Sequence, residues 1–374
     1  MKLYNTLTRK TEEFTTLKPQ KATIYVCGIT PYDTTHLGHA FTYLCFDVLI
    51  RYLIFKGYAV AYTQNVTDIN DRDGDILERA RQKKISWQKL AKYWTDKFLD
   101  DMMALNWIAP TYYLKASEHI SDMVKLIRKL IKNGLAYTGH GSVYLDITKS
   151  QKFGKLSGLS KTQMMKKSKD YEEDLGNPDK RNPLDITLWR SASTNQPPHI
   201  PAFDSPFSKG RPGWHIECSA MSIYSLGQQI DVHGGGQDLI FPHHEAEIAQ
   251  SEGATGKIPF AKFWVHTGQV HYQGEKMSKS KGNIVMVSDL LKKYSANAIR
   301  WLLLSHHYRE SWEFKEADLV LAQKQIEGIE SNLSHCDTKM FSRLMDNDLQ
   351  TPKVLDLLHQ THNQEIFTAL GFTK

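Results

Sequence analysis

Cysteine is scarce in this chain: only Cys27, Cys45, Cys218 and Cys336 occur among 374 residues. Thiols so few and so scattered exclude a disulfide scaffold. Each is either a small buried hydrophobe or a metal ligand or reactive thiol. Long apolar runs are lacking as well. No stretch reads as able to span a bilayer, and the N-terminal MKLYNTLTRK has no apolar signal-peptide core, so a cytoplasmic protein without a membrane partner is expected. Charge of one sign is also missing. The 47 Lys and Arg oppose 41 Asp and Glu, a net +6 that permits a polyanionic partner without requiring one. What is present, 41% hydrophobic and 24% charged residues, suffices for the buried core of one large domain or two.

The stretch YVCGITPYDTTHLGHA, residues 25–40, organises the chain. Ile24 to Cys27 is apolar and β-branched up to a glycine, which predicts a strand. A loop with Gly28 and Pro31 follows, and His36-Leu37-Gly38-His39 then opens an apolar helix from about Ala40 to Phe55. Strand, glycine-bearing turn and helix start together favour phosphate, because free N–H groups and the positive end of the helix dipole point the same way. His36 and His39 add donors to a phosphoryl oxygen, or simply cap the helix. A second extended run, Ala59 to Thr67, completes a βαβ unit and hence a parallel sheet. Ligands of such sheets bind beyond the carboxyl ends of the strands.

From about Asp71 to Trp189 the pattern turns helical, with helices expected over Trp87–Met103 and His119–Asn133. We read this region as an insertion between two halves of a nucleotide-binding fold. Lysine-rich residues 161–180 are expected to form a mobile surface loop, with Lys166-Lys167 a solvated face rather than a nucleic-acid contact. Sheet signals return at Gln229–His233, a strand leading into Gly234-Gly235-Gly236. Those glycines allow close approach to a flat ligand, or a tight turn. In FPHHEAE, Pro242 fits the first turn of a helix. His243 and Glu247 then share one face at a spacing of four. They make half a zinc site, to which Cys27 and Cys218 offer thiolates, or they are structural. Lys276-Met277-Ser278-Lys279-Ser280 forms a basic, hydroxyl-bearing loop suited to polyphosphate, or an exposed turn. From Ser288 onward the chain reads as helical.

Together, HLGH and KMSKS make the chain resemble the class I aminoacyl-tRNA synthetases, whose signatures are an HIGH tetrapeptide and a KMSKS loop in this order. Within that class it is similar to the cysteinyl branch, which includes cysteinyl-tRNA synthetases and the mycothiol-pathway ligase joining cysteine to an amino sugar. LYNTLTRKTEEF, YVCGITPYD, NVTDI, RNPLDITLWR, GRPGWHIECSAMS, DVHGGGQDLIFPHHEAEIAQSEG and HHYRE carry the resemblance over about residues 2–356. Asn70 departs from it, standing where an Asp is usual.

The resemblance implies an α/β fold: a class I synthetase-type Rossmann domain with a parallel sheet, an α-rich insertion and a short C-terminal helical region. The implied segments are residues 1–70 and 206–270 for the two Rossmann halves, 71–205 for the insertion, 271–315 for the KMSKS loop and stem-contact helices, and 316–374 for a C-terminal helical region without an anticodon-binding domain. It implies one Zn²⁺ at Cys27, Cys218, His243 and Glu247, with Glu247 the ligand that yields to a substrate thiolate, and Mg²⁺ with ATP. Thr67 and Trp214 would shape the cysteine pocket. Gly38, Gly235, Gly236, Asp238, Met277, Ser278 and Ser280 would hold ATP or the adenylate, and His36, His39, Lys276 and Lys279 would be catalytic. The implied enzyme is a monomer that forms cysteinyl-AMP from ATP and L-cysteine. The short C-terminal region and local choices such as Thr30-Pro31 and Glu310 favour a small amine as the acceptor, with the 3′ end of tRNA-Cys the alternative and a non-catalytic adenylate-binding paralogue the minor one.

Overall fold

In the computed structural model, which describes residues 1–33, 35–69, 76–150, 153–170, 174–277, 282–335 and 337–374, the chain opens with a hairpin of β1 (Lys2–Asn5) and β2 (Lys10–Glu13). β3 (Lys21–Ile29) follows, then α1 (Leu37–Phe55) and β4 (Ala59–Val66). Side chains of β3 alternate between two apolar clusters. Ile24 and Val26 join the cluster built around α1, whereas Tyr25 and Cys27 join the one on the other face of the sheet. This period of two turns the Cys27 thiol away from α1.

Helix α1 corrects one expectation. Its 19 residues contain an 18-residue window of mean hydropathy 1.3, long and apolar enough by composition to cross a membrane, yet 72% of that window is buried inside the protein. The physical reason is its place between the sheet and α9 (Ala296–Leu304), which leaves it apolar nearly all round. Asp47, fully buried on α1, accepts from Arg51 Nε at 2.8 Å, from Arg300 and from Ile108 N at 2.8 Å, so its charge is paired and hydrogen-bonded.

Next come α2 (Ile76–Gln82) and α3 (Trp87–Ala104), a helical hairpin, followed by β5 (Tyr112–Lys115) and α4 (Ile120–Lys132). Strands that periodicity did not reveal follow: β6 (Ala136–Gly139), β7 (Ser142–Leu145), β8 (Ile186–Ser191) and β9 (Gly210–Pro212) form a four-stranded antiparallel sheet. Residues 161–180 are not one mobile loop. Their first half is α5 (Lys161–Asp170), anchored because Met164 packs with Leu184 and Phe241. Residues 171–173 lie outside the described residues, as does Asn70.

The second half brings α6 (Trp214–Leu226), β10 (Ile230–Gly236), α7 (Glu245–Thr255) and β11 (Ala261–Thr267). The central sheet runs β11-β10-β3-β4-β5 with every neighbouring pair parallel. The first strand of each half, β3 and β10, thus lie side by side, and a crevice opens beyond their carboxyl ends. The expectation that the chain is helical from about Ser288 holds for α8 (Val287–Leu290), α9, α10 (Glu316–Glu330), α11 (Lys339–Met345), α12 (Thr351–Thr361) and α13 (Gln364–Ala369), but Trp312–Glu313 is a strand paired with Val270–Tyr272.

Asn363 is buried, and its Oδ1 accepts from Glu365 N at 2.8 Å and Ile366 N at 3.1 Å, capping α13. Asn363→Ala is expected to cost about 1–2 kcal/mol of stability. Urea unfolding would show it as a lower midpoint at unchanged slope, and an unchanged midpoint would dismiss the cap.

Candidate functional site

The crevice beyond β3, β4 and β10 is a cavity of about 560 Å³. Its wall begins at Gly28, where the chain has no room for a side chain: an added Cβ would lie 1.6 Å from the carbonyl oxygen of Asn65. Glycine lets β3 and β4 approach here, and Gly28 N donates to Asn65 Oδ1 at 2.8 Å. Thr67, next along, donates its N–H to Ile29 O at 2.9 Å and lines the cavity.

At the rim, His36 caps α1. Its Nδ1 accepts from His39 N at 3.2 Å, and the two rings stack with centroids 3.6 Å apart. Capping and cavity lining therefore coexist in His36, since both histidines and Gly38 border the same space. Asp238 and Lys276 face each other across the mouth, Nζ to Oδ2 at 2.8 Å. Burial opposes ionisation of Asp238, but the Lys276 ammonium holds its carboxyl below the usual value. Met277 and Gly236 also line the cavity. Gly235 does not. An added Cβ there would lie 2.9 Å from Leu239 and 3.3 Å from His244, so close packing is what this glycine allows. The expected roles of Ser278, Lys279 and Ser280 fall on positions outside the described residues.

The floor gathers donors from four elements. Cys27 comes from β3, Cys218 from α6, His243 from the turn before α7, and Glu247 from the first turn of α7. The helix expected from Pro242 forms: within Ile240–His244 only Phe241, preceding the proline, departs from helical dihedrals, at φ −140°, ψ 133°, as pre-proline sterics favour, and the turn that starts at Pro242 leads into α7 at Glu245. The spacing of four brings His243 Nε2 to 3.3 Å from Glu247 Oε1. Cys27 Sγ lies 3.5 Å from the same oxygen. Trp214, the first residue of α6, stacks on the His243 ring at 4.4 Å.

Among the described residues there are two overlapping donor sets, Cys27–Cys218–His243–Glu247 and Cys27–His233–His244–Glu247, each with ligand atoms within 4.8 Å of one another. The sequence did not single out His233 and His244 as ligands. The clustered histidines of DVHGG and PHHEA were the signal, but which of an adjacent pair faces a site is set by packing. His244 Nε2 lies 3.3 Å from Cys27 Sγ and His233 Nε2 3.6 Å. Burial, with help from neighbouring imidazoles, holds His244 well below the usual histidine pKa and His266 down to about 3. Burial also raises the Cys27 thiol, reinforced by Cys218. Glu247 Oε2 is buried with no hydrogen-bond partner among the described residues, an arrangement that a cation relieves. Of the two sets, Cys27, Cys218 and His243 line the cavity, whereas His233 and His244 lie behind them. The set that opens onto the cavity is thus Cys27–Cys218–His243–Glu247. Arg79 at the rim had no signal in the sequence, since α2 reaches the cavity only through the tertiary fold, whereas Tyr32 beside it belongs to the YVCGITPYD stretch.

Residues 13–324 match the family model described as the tRNA synthetases class I (C) catalytic domain. A cysteine–tRNA ligase of Dehalococcoides mccartyi is 43% identical over 369 residues, covering 95% of this chain and 78% of the relative. One from Legionella pneumophila is 41% identical over 379 residues, covering 96% and 79%. One from Thermococcus onnurineus is 44% identical over 340 residues, covering 91% and 69%. Among solved structures, a Mycobacterium tuberculosis methionyl-tRNA synthetase in complex with methionyl-adenylate shares the fold, with a TM-score of 0.66 at 16% identity over 91% of this chain and 82% of that one. A model match over most of the length, with identities above 40% across nearly all of it, means that this chain belongs to the class I (C) tRNA synthetases.

Proposed function

We propose that this protein activates L-cysteine with ATP and transfers the cysteinyl group to the 3′ end of tRNA, the reaction for which the relatives above are named. The observation that carries this reading is one cavity with two chemistries: a thiol–imidazole–carboxylate set on its floor, and two histidines at a helix start opposite a lysine at its mouth. The amine acceptor favoured by the sequence alone gives way, because its main support was where the chain ends and the relatives cited share 91–96% of this chain under the tRNA-ligase name.

In the first step the cysteine carboxylate oxygen attacks the α-phosphorus of ATP. The new P–O bond forms as the bond to the bridging β-phosphate oxygen breaks, and pyrophosphate leaves; Mg²⁺ bound with ATP would supply neutralisation of the phosphate charge. We assign charge stabilisation to His36, His39, Lys276 and Lys279, with Gly38, Gly236, Asp238, Met277, Ser278 and Ser280 around the nucleotide. In the second step a terminal ribose hydroxyl attacks the carbonyl carbon and AMP leaves. Cys27, Cys218, His243 and Glu247 suit zinc, which favours a substrate thiolate over a serine hydroxyl. Trp214, stacked on the His243 ring, and Thr67, lining the same cavity, would shape the cysteine pocket. The reading includes a monomer as the working form.

The test is cysteine-dependent ATP–pyrophosphate exchange without tRNA, followed by addition of transcribed tRNA for cysteine or a panel of amino sugars, with mass detection. Exchange is expected, and only tRNA is expected to become charged. An amine product with bare tRNA would restore the small-molecule reading, and no exchange by metal-loaded protein would end both.

A further inference from the structure

The +6 net charge of the chain is not spread evenly. Residues 79–92 hold Arg79, Arg81, Lys83, Lys84, Lys89 and Lys92 and no Asp or Glu, so this one stretch has the same net charge as the whole protein. It is the tip of the α2–α3 hairpin. Its inner end meets the cavity: Arg79 lines it, donates to Asp33 Oδ2 at 2.7 Å and lies 4.6 Å over the Tyr32 ring. From there α2 continues to Gln82, about 4.5 Å along the helix axis, and Lys83 and Lys84 follow in the turn before α3. Arg81 and Lys92 are paired with Glu78 and Asp96. Lys83, Lys84 and Lys89 are exposed and have no carboxylate within ion-pair distance among the described residues. Beside them, Ile85 is 41% exposed and Tyr93 58%. An unneutralised cationic tip with an exposed ring, joined to the cavity rim by an arginine, matches a phosphate backbone whose end enters that cavity.

We propose that the α2–α3 tip, through Lys83, Lys84 and Lys89, holds the sugar-phosphate backbone of the acceptor RNA while its 3′ end reaches the cavity; this rests on the tRNA reading above. The partner is identified by its chemistry. A small amine carries no row of phosphates and gains nothing from this surface.

The experiment uses the full chain with its metal and the variant K83E/K84E/K89E. Filter binding of transcribed tRNA for cysteine is measured across a series of salt concentrations, beside charging kinetics and ATP–pyrophosphate exchange. The variant is expected to raise Kd and the KM for tRNA about tenfold or more, and to flatten log Kd against log salt by roughly 2 to 3. Exchange should stay at the wild-type rate. K83A/K84A/K89A, which avoids new charge, should shift binding in the same direction. K129E/K132E/K353E, with the same change in net charge elsewhere, should not. Wild-type affinity and slope in the hairpin variants, or an equal loss in the control, overturns the assignment. Wild-type protein that exchanges but charges no tRNA ends the tRNA reading, whereas the binding series still judges the surface.

Discussion

Cys218→Ala is expected to empty the metal site and to lower cysteine-dependent ATP–pyrophosphate exchange by at least about 100-fold, more than the loss of an outer hydrogen-bond partner of a metal ligand costs. Cys218 is buried on α6, where alanine is a good helix former of smaller volume, so folding should survive. The remaining donors do not replace it easily. His233 and His244 lie behind Cys27, away from the cavity, so a metal held by the second set sits further from an entering substrate thiol. Circular dichroism, metal analysis and exchange on one preparation separate the outcomes. A folded, metal-free protein with full exchange would falsify the proposed metal role. Retained metal with lost exchange would instead point to the histidine-rich set as the resident site.

Lys276→Ala is expected to slow adenylate formation by about 10²–10³-fold, the usual consequence of removing one donor to charge that develops in the transition state. The KM for cysteine should change little, because the thiol-binding floor lies at the other end of the cavity. The variant has a second effect. Lys276 holds the Asp238 carboxyl low against burial, and without the ammonium that carboxyl shifts upward. The double-mutant cycle with Asp238→Asn separates direct action on phosphate from action through Asp238. If Lys276 works only by keeping Asp238 charged, the single variants and the double variant lose the same activity. An exchange rate unchanged in Lys276→Ala removes the lysine from the mechanism.

Local physics made much of this legible. Extended runs of apolar and β-branched residues marked β3, β4 and β10, and the spacing of four joined His243 to Glu247. Local physics failed where a neighbour decided the outcome. Residues 161–170 are lysine-rich and polar, yet Met164 finds Leu184 and Phe241 and the segment is a helix. The apolar length of α1 is equally compatible with a bilayer until the sheet and α9 are seen to cover it.

The sequence by itself determined which side chains have the chemistry and which alternate along a strand or share a helical face, because a period of two or 3.6 residues is a property of the backbone. Only the tertiary structure decided that Cys27, 220 positions before Glu247, meets it at 3.5 Å, and that His233 and His244 stand behind the same thiol. That meeting depends on β3 and β10 becoming neighbours in a parallel sheet, with Cys27 on the α6 face. Strand order is fixed by how all the elements bury their apolar faces together, a condition that no single segment encodes.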